Sequence, residues 1–204
     1  MSHVREQFRS VLARPTCTLA ANIFDPLSAS IAHMLEYEVC VLSGSVGKVA
    51  NLGVPDGVLS NMSDVVDHCR RITRIADVSL MVDAEDGFGN AVNVARTVRE
   101  MEAAGVSGIE IEDNFVPKQF GVQNPGLIPK EEQVGKLQAA VAARTARSTS
   151  SALALGTVVI VSRVEGSRTS SVSPPDEAQI SPAMSIASRA IPPASRFPGR
   201  ASAR

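Results

Sequence analysis

The stretch Val78-Ser-Leu-Met-Val-Asp-Ala-Glu-Asp-Gly-Phe-Gly-Asn90 decides the fold, because an apolar run ends in acidic residues and glycines just before a helix pattern. A second apolar run, Gly108-Ile-Glu-Ile-Glu-Asp113, ends in the same way. We expect Asp83 and Glu85 to converge with the acidic end of that second strand. Oxygen ligands are those that Mg²⁺ prefers, so the pattern predicts a hard-cation site.

Short apolar strands alternate with helix patterns on both sides of these stretches. The predicted strands are 18–23, 39–42, 78–82, 108–111 and 158–161. The predicted helices are 26–35, 63–75, 91–104 and 130–143, with Ser63 as the expected N-cap of the second. This alternation predicts parallel strands joined by right-handed crossovers.

Both an open doubly wound sheet and a barrel satisfy the pattern alone. Acidic residues at the carboxyl ends of successive strands favour the barrel. A complete (β/α)8 barrel usually needs roughly 250 residues, whereas this chain has 204 residues and shows about five strand–helix units. We therefore expect an α/β fold of the (β/α)8 TIM-barrel type, incomplete, over residues 1–166.

The composition changes sharply in residues 167–204. Ser, Pro and Ala make up 22 of these last 38 residues, and no lysine follows Lys136. Such a segment has little to bury, so it is predicted to be a disordered tail. Out-of-frame translation of a GC-rich gene is the alternative explanation, and it is the one that the abrupt change favours.

Charge and cysteine content narrow the class of protein. The net charge of −1 does not call for nucleic acid or an anionic membrane as a partner. No leader-like or membrane-spanning apolar run is present in the sequence, which predicts a cytoplasmic protein. Cys17, Cys40 and Cys69 are predicted to be reduced, buried thiols. Structural roles are expected for His33, in an apolar helix, and for His68, on a helix surface.

Five motifs, in this order along the chain, resemble those of the isocitrate lyase/phosphoenolpyruvate mutase superfamily. They are Ser43-Gly44-Ser45, Gly53-Val-Pro-Asp56, Asp83-Ala-Glu85-Asp-Gly-Phe-Gly-Asn90, Ile111-Glu112-Asp113 and Ser162-Arg163-Val-Glu165. The resemblance implies a Mg²⁺-dependent modified TIM barrel that makes or breaks C–C or C–P bonds next to a 2-oxo acid. It also implies that full-length relatives are homo-oligomers.

The resemblance assigns a metal shell to four carboxylates. Asp83, Glu85 and Glu112 match the family's ligands for Mg²⁺, with Mn²⁺ as an alternative, and Asp56 matches a supporting position. Many of these contacts run through water in the family. Glu85 stands where the family usually has aspartate, and its longer arm shifts the expected geometry.

The resemblance also assigns the substrate contacts. Ser43, Gly44 and Ser45 match the loop whose N–H and hydroxyl groups hold the substrate carboxylate. Arg163 matches the arginine that pairs with substrate oxygens, a task for which its planar fork of donors is suited. Lys118 is expected to contact the substrate from the gate loop, so Arg163 and Lys118 are the predicted catalytic residues.

The gate loop indicates which branch of the superfamily the chain is closest to. It reads Phe115-Val-Pro-Lys118-Gln-Phe120-Gly121-Val122. Phe120 stands where isocitrate and methylisocitrate lyases have an acid/base cysteine, and an apolar side chain cannot move a proton. The Pro-x-Gln-Phe-Gly pattern is similar to the oxaloacetate decarboxylase branch. This resemblance predicts Mg²⁺-dependent decarboxylation of oxaloacetate to pyruvate through a metal-stabilised enolate.

Other interpretations stay open from the sequence. Asp83 and Glu85 could cap the following helix, Ser43-Gly44-Ser45 could be an ordinary turn, and Arg163 could pair with Glu165. The activity could instead be that of a 2-methylisocitrate lyase or of a carboxyphosphonoenolpyruvate or phosphoenolpyruvate mutase. An inactive fragment that binds metal or a partner at most is the alternative to any enzyme.

Overall fold

The computed structural model describes residues 2–57, 59–116, 126–144 and the strand at 158–162. Its helices are α1 Ser2–Leu12, α2 Pro26–Met34, α3 Gly44–Leu52, α4 Met62–Thr73, α5 Ala91–Ala103 and α6 Lys130–Ala143. Its strands are β1 Ala21–Ile23, β2 Val39–Leu42, β3 Ser79–Asp83, β4 Gly108–Glu112 and β5 Val158–Ser162. No helix in these ranges is long and apolar enough to cross a membrane.

The five described strands form one parallel sheet in the order β1-β2-β3-β4-β5. Each strand therefore pairs with the next strand along the chain. A doubly wound sheet reverses its strand order at a switch point, whereas a barrel adds strands in sequence. The sheet order confirms the predicted (β/α)8-type architecture and rejects the doubly wound alternative.

One face of the sheet is covered by the connecting helices. Ile109 and Ile111 of β4 are fully buried among side chains from α4 and α5. The stripe predicted on α5 contributes Val94, Val98 and Met101 to this core, each of them buried. Apolar residues at helical spacing thus pack against short Val/Ile/Leu strands, as a sheet covered by helices requires.

The opposite face is covered at its amino end by α1. Phe8 is fully buried against Val39 and Met81, and a Cβ atom on Gly108 would lie 2.7 Å from the Phe8 ring. The hydroxyl of Ser79 also donates a hydrogen bond to the Val4 carbonyl at 2.8 Å. The helix α1 therefore covers the amino end of this face. The carboxyl end of the same face carries the polar side chains that end the strands.

Several predictions about helices and side-chain burial were wrong. The sequence did not lead us to expect α1 or α3. Asn61, not Ser63, caps α4, because its side chain accepts the N–H groups of Ser63 and Asp64. His68 lies on the buried side of α4 and not on the helix surface as predicted. Burial lowers its pKa. Cys17 is exposed, whereas Cys40 and Cys69 are buried, and all three are free thiols.

Candidate active site

The acidic residues predicted from the sequence lie at the carboxyl ends of β3 and β4. Asp83 is the last residue of β3 and Glu112 the last of β4. Residues two apart on a strand share a face, so Glu110 lies on the same face as Glu112. The register pairs Glu110 with Asp83. Three carboxylates therefore occupy neighbouring strands on the face whose amino end α1 covers.

The first turn of α3 meets this carboxylate edge. The backbone N–H of Gly44 donates a hydrogen bond to Asp83 Oδ2 at 3.1 Å. Ser43 is the N-cap residue, yet its hydroxyl makes no capping hydrogen bond and pairs with the Ser45 hydroxyl at 3.1 Å. A helix N-terminus carries partial positive charge and free N–H groups, which attract anions. The predicted substrate loop and the predicted metal carboxylates thus form one site.

Gly44 fits this position because it has no side chain. A Cβ atom there would lie 2.7 Å from Asp83 Oδ2 and 3.0 Å from Glu85 Oε1. The first distance is shorter than a carbon–oxygen contact allows, and the second requires Glu85 to shift by a few tenths of an ångström. The two carboxylates therefore converge on the backbone of Gly44, and a larger residue would force them apart.

The turn after β3 holds the acidic side chains in fixed positions. Glu85 has a φ of 53° and Phe88 a φ of 64°, a left-handed conformation that costs non-glycine residues free energy. The Glu85 N–H donates to Asp83 Oδ1 at 2.9 Å, and the Glu112 N–H donates to the Glu85 carbonyl at 2.7 Å. Strained backbone held by such bonds is typical of functional sites.

Lys48 is a site residue that the sequence analysis missed. It lies on the buried side of α3. Its ammonium forms ion pairs with Asp56 Oδ1 at 2.6 Å and with Glu85 Oε1. Burial acts to lower the pKa of Lys48, but hydrogen bonds and charge attraction from Asp56 and Glu85 outweigh it, so this pKa is raised. Lys48 thereby joins two of the predicted metal-shell residues.

Glu112 lies in an environment that disfavours its charged form. Burial, followed by repulsion from Asp83, Glu85 and Glu110, raises its pKa to about 7, against a smaller lowering effect of its hydrogen bond from Asn114. Burial is also the main reason why the pKa of Glu85 is raised, despite the opposing effect of Lys48. Concentrated negative charge of this kind favours a bound cation.

A second buried lysine supports the turn after β3. Lys136 of α6 lies 3.5 Å from Asp86 Oδ2, with both side chains buried. Asp86 also accepts the N–H groups of Phe88 at 3.0 Å and Gly89 at 3.2 Å. The helix α6 is therefore tied to the turn that carries Glu85.

The donor set suits a hard divalent cation. Mg²⁺ is usually held by one or two carboxylates, with substrate and water completing its coordination. Glu85 Oε1 is buried, and it contacts the ammonium of Lys48. In the described part of the chain, no three His, Cys, Asp or Glu side chains stand close enough to hold an ion on their own. A metal here would therefore need water or substrate oxygens.

The structure brings together most, not all, of the predicted site residues. A small cavity is lined by Ser43, Gly44, Asp83 and Glu85, together with Lys48. Asp56 reaches this group through Lys48, and its own side chain is 56% exposed. Lys118 and Arg163, like the predicted tail, lie outside the described residues.

A sequential parallel sheet with carboxylates and a helix N-terminus at its carboxyl edge defines the (β/α)8-barrel class, in which sites lie at that edge. Residues 8–182 match the profile of the phosphoenolpyruvate phosphomutase family. The chain belongs to this family.

Relatives of known name are similar over most of the chain. An oxaloacetate decarboxylase of Pseudomonas fluorescens (strain SBW25) is 47% identical over 143 residues, which are 70% of this chain and 50% of the relative. A similarly named protein of Chromohalobacter salexigens is 44% identical over 69% of this chain and 49% of its own length. The chain thus spans about half the length of the curated relatives it matches.

Solved structures agree with this family. A phosphonopyruvate hydrolase in complex with oxalate and Mg²⁺ superposes with a TM-score of 0.67 at 32% identity, covering 78% of this chain and 52% of the other. An oxaloacetate acetylhydrolase with the inhibitor 3,3-difluorooxalacetate superposes with a TM-score of 0.64 at 25% identity, covering 70% and 49%. Both similarities agree with the barrel-type architecture that the sheet order indicates.

Proposed function

We propose that this chain carries the metal- and carboxylate-binding half of a Mg²⁺-dependent lyase that decarboxylates oxaloacetate to pyruvate. The observation that supports it most directly is the hydrogen bond from Gly44 to Asp83. This bond joins the loop suited to a substrate carboxylate with the carboxylates suited to a cation. The names of the relatives at 44–47% identity supply the substrate.

The residues available for the metal are Asp83, Glu85 and Glu112, with Asp56 farther out. When bound there, Mg²⁺, or Mn²⁺ in its place, would supply the positive charge that withdraws electrons from the 2-oxo group as carbon dioxide leaves. The hydrogen bonds from Gly44 and Glu85 fix the orientation of the Asp83 carboxylate before any ion arrives. Such preorganisation lowers the cost of binding.

The substrate carboxylate would lie against the first turn of α3. Ser43 and Ser45 offer a hydroxyl donor there, since the bond between the two hydroxyls uses only one of their O–H groups and Ser43 does not cap the helix. The N–H of Gly44 is already donated to Asp83, so the donors for substrate are the serine hydroxyls and the rest of the helix N-terminus. Lys118 and Arg163 stay predicted contacts to the remaining substrate oxygens.

The chemistry then needs few further groups. The electrons of the breaking C–C bond pass into the 2-oxo group, carbon dioxide departs, and a proton from water converts the pyruvate enolate into pyruvate. A divalent cation held by oriented carboxylates, together with hydroxyl donors for the substrate, would supply what this reaction needs. The cytoplasmic location and the homo-oligomeric state of full-length relatives stay predictions.

The test is pyruvate release from oxaloacetate by the full chain with Mg²⁺, compared with Mg²⁺ alone. We expect the chain to exceed the metal-only rate and Asp83→Asn to return to it. A rate equal to metal alone would reject the decarboxylase proposal for this chain. Phosphate release from phosphonopyruvate, measured in parallel, would instead indicate an activity like that of the phosphonopyruvate hydrolase neighbour.

A further inference from the structure

Lys48 holds two of the four carboxylates that the family resemblance assigns to the metal shell, Glu85 and the supporting Asp56. Its side chain is 3% exposed, that of Glu85 is 9% exposed, and that of Asp56 is 56% exposed. A buried ammonium is stable only when it is paired, and here both partners are acidic residues of the candidate metal site. The site therefore contains a cation that belongs to the chain itself.

The length of the Glu85 side chain suits this ion pair. The backbone at Glu85 is fixed by its left-handed conformation and by its hydrogen bond to Asp83. From that fixed backbone, Glu85 Oε1 reaches Lys48 Nζ. An aspartate is one methylene shorter and would end before this point. Glutamate at position 85 is thus matched to lysine at position 48.

Asp83 is held in a different way. Its two oxygens accept the backbone N–H groups of Gly44 at 3.1 Å and Glu85 at 2.9 Å. Neutral backbone donors orient a carboxylate without cancelling its charge, whereas an ammonium cancels it. Asp83 therefore keeps its charge available to a divalent ion, whereas Glu85 and Asp56 share the single positive charge of Lys48.

We propose that Lys48 is a built-in cation that pairs with Glu85 and Asp56, holds these two carboxylates away from the metal and thereby weakens the binding of a divalent ion at this site. This inference rests on the proposed metal site and deepens it. Lys48 is a positioning residue, since it acts on the metal through Glu85. Its charge also lowers the affinity of the site for any divalent ion by repulsion.

The experiment is a calorimetric titration of the full chain with Mn²⁺, in the absence of substrate. We expect Lys48→Met to bind Mn²⁺ about tenfold more tightly than the wild type, because a nearby positive charge is removed and Glu85 is released. The double variant Lys48→Met with Glu85→Gln should lose most of that gain. Lys130→Met, at the exposed start of α6, is the matched control and should leave the affinity unchanged.

Two single variants keep the test decisive if Lys48→Met fails to fold. With Lys48 present, Glu85→Gln should change the Mn²⁺ affinity by less than about threefold, because the Glu85 charge is already paired with Lys48. Asp83→Asn should weaken it by more than about thirtyfold, because Asp83 accepts neutral N–H groups and its charge is not paired in that way. Equal losses in these two variants would overturn the inference. So would an unchanged or weaker affinity in folded Lys48→Met, or no binding by any variant.

This outcome is separate from that of the proposed function. Mn²⁺ binding is measured without oxaloacetate, and pyruvate release is measured without reference to Lys48. If the affinity pattern holds while no pyruvate is released above the metal-only rate, Lys48 has the assigned role and the decarboxylase proposal fails. If pyruvate is released but Glu85→Gln and Asp83→Asn lose affinity equally, only the role of Lys48 is rejected.

Discussion

The backbone N–H of Gly44 and the Oδ2 atom of Asp83 are joined by a hydrogen bond of 3.1 Å between residues 39 positions apart in the chain. The bond connects the first turn of α3 with the end of β3. Because β2, which leads into α3, and β3 are neighbours in a parallel sheet, their carboxyl ends meet at one edge. The position of Asp83 therefore depends on a residue that has no side chain.

Gly44→Ala should damage the site more than the fold. The new Cβ would lie 2.7 Å from Asp83 Oδ2 and 3.0 Å from Glu85 Oε1, so both carboxylates must move. We expect a loss of Mn²⁺ affinity of at least about tenfold, the scale seen when support of a metal ligand is removed. Calorimetric titration measures this loss, and an affinity within twofold of the wild type would contradict the proposed geometry.

Gly135→Ala is the matched control for that change. Gly135 lies within α6, and a Cβ atom there meets nothing within 4 Å. Alanine at an open helical position should stabilise the protein by roughly 0.5–1 kcal/mol. Its Mn²⁺ affinity should equal that of the wild type, which separates steric damage from a general effect of adding a methyl group.

Glu112 predicts a pH dependence of stability for the metal-free protein. Its pKa rises from an ordinary 4.5 to about 7 on folding, so between these values the folded state holds a proton that the unfolded state has lost. Stability from this group is full below pH 4.5 and is lost as the pH rises through about 7. Glu112→Gln, which is always neutral, should therefore become more stable than the wild type at higher pH.

The measurement compares urea unfolding of Glu112→Gln and wild type at several pH values. The difference in unfolding free energy should be near zero at about pH 4 and should grow up to about pH 8. Glu131→Gln, on the exposed first turn of α6, should show no such growth. A difference for Glu112→Gln that is constant with pH would contradict the raised pKa.

The strands could be predicted from the sequence, whereas two helices could not. Short Val/Ile/Leu runs bounded by polar residues predicted all five strands with ends shifted by a few residues. In α3, Gly44 and Gly47 lower the helix propensity, and Gly47 is placed where an added Cβ would lie 3.2 Å from Leu42 of β2. In α1 the signal was present and overlooked, since Val4, Phe8 and Val11 recur at helical spacing and are all buried.

The candidate site was predictable only where residues end a strand. Asp83 and Glu112 follow apolar runs, and the two-residue period would also have placed Glu110 on the face of Glu112. Lys48 follows no pattern, because its role depends on Asp56 and Glu85 coming close in three dimensions. Lys136 was overlooked for the same reason, since its partner Asp86 belongs to a distant turn.

Phe8 should be an important source of stability on the face opposite the connecting helices. It is fully buried and packs against Val39 and Met81. Phe8→Ala should cost about 3–5 kcal/mol of unfolding free energy, the usual price of such a cavity. Phe24→Ala, at a side chain that is 42% exposed, is the control and should cost much less. Equal losses in urea unfolding would show that α1 does not cover the sheet.

The buried ion pair between Lys136 and Asp86 should stabilise the fold more than an exposed ion pair does. The pair spans 3.5 Å with side chains 3% and 10% exposed, so Lys136→Met leaves a buried carboxylate without its counter-charge. We expect a loss of about 3–5 kcal/mol in urea unfolding. Because Asp86 also accepts two N–H groups of the turn after β3, the same variant should weaken Mn²⁺ binding through Asp83, whose carboxylate accepts the Glu85 N–H of that turn.

The control is the exposed pair between Arg70 and Glu100, at 3.1 Å with side chains 50% and 39% exposed. Arg70→Met should cost less than about 1 kcal/mol, because water screens such pairs. In the double variant Lys136→Met with Asp86→Asn, the buried charge is gone, so its loss should be smaller than the sum of the two single losses. Additive losses would mean that Lys136 and Asp86 act independently, and α6 would then have no part in holding the turn that carries Glu85.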